Sequence, residues 1–91
     1  LHTMQAALAL SKNGKYQQAL QCLDDILKKY PTDSEAYFQR GLVYERMDNL
    51  DLSIGDFNQA ILFSPTLVKA YMSRANCWQK KGQVDKAVGD Y

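Results

Sequence analysis

The sequence has a single histidine, His2, and only two cysteines, Cys22 and Cys77. That scarcity excludes most nucleophile–base and metal chemistry: no Ser/His/Asp, Cys/His or HExxH grouping is present, and no Gly-rich phosphate loop. No catalytic residue, metal site or cofactor is expected. The two cysteines lack metal-ligand spacing and read as buried free thiols, which favours a reducing compartment and a cytoplasmic location. Long apolar runs are missing as well. Nothing approaches the roughly 20 residues of a membrane-spanning helix, and there is no signal-peptide pattern, so no membrane association is expected. Charge of one sign is also absent: 11 basic residues against 10 acidic leave +1, with no charged tail to suggest nucleic acid or a lipid surface. The carboxylate pairs Asp24–Asp25 and Asp48/Asp51 read as solvated-face residues rather than paired catalytic acids. At 91 residues the chain is one domain at most. It opens without Met and stops at Tyr91 inside a helical pattern, which leads us to expect a piece of something larger.

What is present is a repeat. The only prolines are Pro31 and Pro65, and the offset between them also relates Ala36 to Ala70, Tyr37 to Tyr71, and Arg40 to Arg74. A third copy joins through Gly14, Asp48 and Gly82, through Ala19, Ser53 and Ala87, and through Leu23, Phe57 and Tyr91. A shared spacing at so many positions is the signature of a stacked array.

Each copy reads as two helices. Ala36, Tyr37, Val43, Tyr44 and Met47 recur at helical spacing, as do Leu50, Ile54, Phe57 and Ile61. Between them stands Asp48-Asn49, residue types that tolerate the left-handed conformation at a helix end; Gly14 and Gly82 hold that place in the other copies. Pro31 and Pro65 close the second helix of each pair. Thr32 and Thr66 follow as candidate N-caps, Thr32 with Glu35 in a capping-box pattern. Breaks are therefore expected near Gly14, Pro31, Asp48, Pro65 and Gly82, giving five full helices and a truncated sixth. Asp56 follows Arg40 at i+16 and Asp90 follows Arg74 at the same step, whereas Ala6 is followed there by Cys22. Arg and Asp come and go together, which predicts a helix-to-helix ion pair in each of the two later copies.

A 34-residue helix–turn–helix period with these small, aromatic and proline positions resembles the tetratricopeptide repeat. Counting repeats from Ser34 and Val68, the signature positions of the middle copy hold Tyr37, Arg40, Gly41, Tyr44, Ser53, Phe57, Ala60 and Pro65. The resemblance covers the whole chain as one repeat domain: repeat 1 over residues 1–33, repeat 2 over 34–67 and a truncated repeat 3 over 68–91. It implies an all-α, right-handed superhelical solenoid that acts as a protein–protein interaction module, an adaptor or scaffold. The alternative it leaves open is an accessory docking module of a larger enzyme or co-chaperone. Three departures stand out. Ser53 replaces the usual Ala opposite Gly41, where its hydroxyl is expected to bond back one turn along its own helix; Thr3 and Ala6 weaken the first helix; Ile26 stands where Ala is usual.

In this architecture the first helices of successive repeats line a concave groove. The resemblance places Met4, Phe38 and Met72 in one groove row, Leu8, Leu42 and Asn76 in a second, and Gln5, Gln39 and Ser73 in a third, with Lys69 beside them. This is either an apolar ladder flanked by amides, suited to a peptide or helix with Phe38 as its rigid aromatic anchor, or a row of Met and Phe side chains that pack against the neighbouring repeats. Lys12, Arg46 and Lys80 form a basic edge that would tune the on-rate. One branch of the family grips a chaperone's C-terminal carboxylate with five polar groove residues. Met4, Leu8, Gln39, Lys69 and Ser73 occupy those places, and only Lys69 matches. The related RNA-binding repeats have a period of 35, so no nucleic-acid partner is expected. An uncovered solenoid end carrying Trp78, Val84, Val88 and Tyr91 predicts self-association.

Overall fold

The turns show why this chain folds in repeating helix pairs. In the computed structural model, which describes residues 3–82, Asp48 has φ 61° and Gly14 and Gly82 have φ 78° and 79°. At that left-handed residue the chain reverses, and the amide one residue on reaches back to an orphan helix carbonyl: Lys15 to Leu10 and Asn49 to Tyr44, both at 2.8 Å. The described residues form five α-helices and no strand: α1 Met4–Lys12, α2 Tyr16–Lys29, α3 Ser34–Arg46, α4 Leu50–Phe63 and α5 Val68–Lys80. The breaks fall where the repeat pattern put them. The sixth helix expected from the sequence lies outside the described residues.

The second kind of turn, after α2 and α4, uses proline and tyrosine together. The hydroxyl of Tyr37 donates to the Pro31 carbonyl and that of Tyr71 to the Pro65 carbonyl, each at 3.0 Å. The caps differ from expectation by one residue. Asp33, not Thr32, accepts from the Ala36 amide at 3.1 Å, and Leu67, not Thr66, precedes α5 with no side-chain cap. The reason is local: the Asp33 amide closes a turn onto Tyr30, and that of Leu67 onto Ser64. Each threonine is thus held inside a turn, and the next residue becomes the cap.

Packing follows the same period. α1 packs on α2 and α3 on α4 within repeats; α2 packs on α3 and α4 on α5 between them, and α1, α3 and α5 are neighbours along one side. One core gathers Ala7, Ala19, Leu23, Ile26, Ala36 and Val43; a second gathers Phe38, Ile54, Phe57, Ala60, Ala70 and Cys77. Tyr37 joins the two. Gly41 sets the approach of α3 to α4, since a Cβ there would stand 2.6 Å from the Phe57 ring. That closeness also redirects Ser53. Its hydroxyl does not bond back along α4 but crosses to the Gly41 carbonyl at 2.6 Å, with the Cys77 sulfur 3.4 Å away. Cys22 and Cys77 are both buried and neither is in a disulfide, and burial pushes the Cys77 thiol above its ordinary value.

The ion pair read from covariation is present where it is described. Arg40 grips Asp56 with two parallel bonds, Nε to Oδ2 at 2.9 Å and Nη2 to Oδ1 at 2.8 Å. A third bond goes beyond that expectation: Nη1 reaches Asp24 on α2 of the preceding repeat at 2.9 Å. Arg40 therefore ties α2, α3 and α4 together. Asp24 is no idle solvated-face residue. Arg74 makes the equivalent backward bond, to Asn58 of α4 at 2.8 Å, while its expected partner Asp90 lies outside the described residues. Burial raises the Asp56 carboxyl above its ordinary value, although Arg40 draws it down; the two carboxylates hold the Arg40 guanidinium firmly protonated.

Candidate functional site: the face of the first helices

The side formed by α1, α3 and α5 carries most of the residues that the sequence pattern assigned to a groove, with different exposures. Leu8 is 42 % and Met72 52 % exposed; Leu42 lies half-buried between them in the sequence of helices. Gln5, Lys69 and Asn76 are exposed, and Met4, Gln39 and Ser73 are half-buried. Phe38 is the correction. It is only 5 % exposed, with the Phe57 ring 5.7 Å away and the Lys69 ammonium 4.7 Å above its own ring. Because α5 packs beside α3, the aromatic closes the junction between repeats and offers no free face to a ligand. What it supports is Lys69, through a cation–π contact.

Lys69 is further fixed by Glu35, Nζ to Oε1 at 2.8 Å, and the same carboxylate accepts from the Gln39 amide at 2.9 Å. Burial alone would raise the Glu35 carboxyl, but the bonds from Lys69 and Gln39 hold it below its ordinary value. At the other end of these helices, Lys80 pairs with Glu45, Nζ to Oε2 at 2.9 Å, and that bond raises the Lys80 ammonium. Arg46 donates to Ser11 of α1. Of the expected basic edge, Arg46 and Lys80 are thus engaged within the array, while Lys12 is exposed at the end of α1. The face reads as an apolar diagonal, Leu8–Leu42–Met72, between two acid–base pairs that neutralise each other. Glu35 is the component of this face that the sequence pattern did not single out. Glu35 and Lys69 stand one full period apart with opposite charge, a signal that could have found the first pair.

Among the described residues no three His, Cys, Asp or Glu side chains gather as a metal site, and no helix is long and apolar enough to cross a membrane. The end patch of Val84, Val88 and Tyr91 lies outside the described residues; Trp78 is half-buried against the second core.

With this geometry in place, the comparison with known sequences is decisive: the family model of the tetratricopeptide repeat matches residues 4–66. The chain belongs to the tetratricopeptide-repeat family. Such repeats are protein-interaction modules and generally non-catalytic. Human DnaJ homolog subfamily C member 7 is 33 % identical over 84 residues, a match that spans 88 % of this chain and 17 % of that protein. Among solved structures, MamA superposes with a TM-score of 0.90 at 27 % identity, covering 92 % of this chain and 49 % of the other. The first tetratricopeptide-repeat domain of Spaghetti, bound to the HSP90 peptide SRMEEVD, gives a TM-score of 0.91 at 23 % identity, covering 96 % and 69 %. At that identity the second likeness speaks for the fold alone.

Proposed function

We propose that this tetratricopeptide-repeat segment holds a peptide or short helix of a partner protein on the face of α1, α3 and α5. Its contact residues are Met4, Gln5, Leu8, Gln39, Leu42, Met72, Ser73 and Asn76, with Lys69 at the margin. The carrying observation is the apolar diagonal of exposed Leu8 and Met72 with half-buried Leu42, between the neutralised pairs Glu35–Lys69 and Glu45–Lys80. Apolar side chains held at fixed spacing by rigid helices favour an amphipathic ligand, and the flanking amides can bond its backbone. Two ligand types are disfavoured. A C-terminal carboxylate meets only one matching cation, Lys69, which already holds Glu35; a nucleic acid needs a free basic track, and Lys80 and Arg46 are engaged. The segment works as an adaptor or scaffold without chemistry of its own, in the cytoplasm, as one array with repeats over 1–33, 34–67 and 68–91.

The test starts from a peptide selected by display against the whole chain and measured by isothermal titration. Met72→Ala and Leu8→Ala should each weaken it by about 1 kcal/mol, roughly fivefold. Acidic SRMEEVD should bind weakly or not at all. Undiminished affinity in both alanine variants, or preference for the acidic peptide, would contradict the proposal.

A further inference from the structure

The opposite side of the molecule carries a second apolar surface that the groove does not explain. On α4, Leu52 and Leu62 are 51 % and 65 % exposed, and Gly55 and Gln59 between them are exposed as well. None of the four is charged, and the adjacent Asp51 is already paired with Lys81. The repeat supplies an internal control. One period earlier, the same positions on α2 are Gln18, Gln21, Asp25 and Lys28, where Gln21 donates to Asp25 at 3.2 Å. The scaffold therefore tolerates a fully polar stripe here, and α4 has exchanged most of it for leucine and glycine.

Gly55 sharpens the point. Gly41 is required by the Phe57 ring, but a Cβ at Gly55 would meet nothing within 4 Å. A glycine inside a helix is destabilising relative to alanine, and nothing in the described chain compensates for it. Space kept open on a helix surface, between two exposed leucines, suits the close approach of another helix.

Which helix is indicated by the spacing. Positions 52, 55, 59 and 62 step by three, four and three, the a–d–a–d pattern of a two-helix seam. The sequence of sizes along it, Leu–Gly–Gln–Leu, is matched to itself about position 57. In an antiparallel pair related by a two-fold axis there, Leu52 of one copy faces Leu62 of the other, and Gln59 lies over Gly55. A surface complementary to itself is what a two-fold interface demands.

We propose that two copies of this chain associate back to back through α4, with Leu52, Gly55, Gln59 and Leu62 forming an antiparallel seam. One helix per copy buries less than a standard interface, so the dimer is weak and concentration-dependent. The seam lies on a second helix, away from the face of α1, α3 and α5, so each copy keeps its peptide site and the pair is bivalent.

Sedimentation velocity of the whole chain from about 1 µM to about 1 mM tests this, a span matched to weak association. A monomer–dimer equilibrium is expected. Leu62→Lys and Leu52→Glu should each weaken it by about tenfold or more with the helical circular dichroism unchanged. The double variant should recover it, because the introduced carboxylate then faces the introduced ammonium of the second copy. Mixing Leu52→Cys with Leu62→Cys protein under mild oxidation should give more cross-linked dimer than either alone. A chain that stays monomeric throughout, a dimer indifferent to Leu62→Lys, or cross-linking that favours each variant with itself would overturn the proposal.

Discussion

Replacing Arg40 with methionine removes a side chain that ties three helices together. Met matches the aliphatic stem in length, so packing is largely kept while three hydrogen bonds are lost. The consequence is unequal at the two partners. Asp24 has a side chain 45 % exposed and falls back on water. Asp56, only 6 % exposed, is left as an unpaired buried carboxylate, a situation that costs about 3–5 kcal/mol. At an m-value of about 1–2 kcal/mol/M for a small chain in urea, the unfolding midpoint at neutral pH should fall by about 1.5 M or more. Burial already raises the folded-state value of Asp56, and loss of the cation raises it further. A carboxyl whose folded value lies above its unfolded one is most favourable when protonated; its contribution is lost as pH rises through the folded value. The gap between wild type and variant should therefore narrow toward about pH 4, below which both states bind the proton. Adding Asp56→Leu should recover most of the loss at neutral pH, since the uncompensated charge is gone. Urea titrations followed by far-UV circular dichroism at both pH values read all of this. A neutral-pH loss under about 1 kcal/mol, the range of exposed pairs, would refute the assignment of Arg40 as a buried three-way tie, as would a gap that ignores pH.

Among the described residues, the two α-helical glycines should respond to alanine with opposite signs in the same titration. Gly41→Ala drives a methyl into the Phe57 ring and should destabilise by about 1–3 kcal/mol, whereas Gly55→Ala meets open space and should stabilise by about 0.5–1 kcal/mol. Asp48→Gly relieves a non-glycine residue at φ 61° and should raise stability by about 1 kcal/mol, seen as a higher thermal midpoint. The Glu35 carboxyl is held below its ordinary value of 4.5, so its contribution is present above that value and lost as pH falls through the lower folded one. Because both partners are substantially exposed, Glu35→Gln should cost about 0.5 kcal/mol at neutral pH and low salt, shrinking at high salt and in acid.

The array was legible because its physics repeats. Pro31 and Pro65, Gly14, Asp48 and Gly82, and the Ala and Tyr positions each do the same job one period apart, so every copy corroborates the others. Arg40–Asp56 was legible for the same reason, as a pair present or absent together. The link from Arg40 back to Asp24 was not, since Asp24 belongs to a different repeat and its chemistry alone marks it as a surface residue. Phe38 shows the limit of periodicity. Spacing assigns a side chain to a face of α3, but the depth at which it sits depends on how close α5 comes, and α5 covers Phe38 with Lys69. The caps moved from Thr32 and Thr66 by one residue because the turn after each proline uses the threonine first. Ser53 followed the short separation of α3 and α4 rather than the preference of its own helix.

The central claim, that the side of α1, α3 and α5 is the ligand face, is tested most directly by mapping amide chemical shifts of the isotope-labelled chain as a display-selected peptide is added. The account predicts perturbations concentrated at Leu8, Gln39, Leu42, Met72 and Asn76, with Gln18 and Gln59 on the second helices unmoved. Shifts concentrated instead on the outward faces of α2 and α4, with Leu42 and Met72 unaffected, would contradict it.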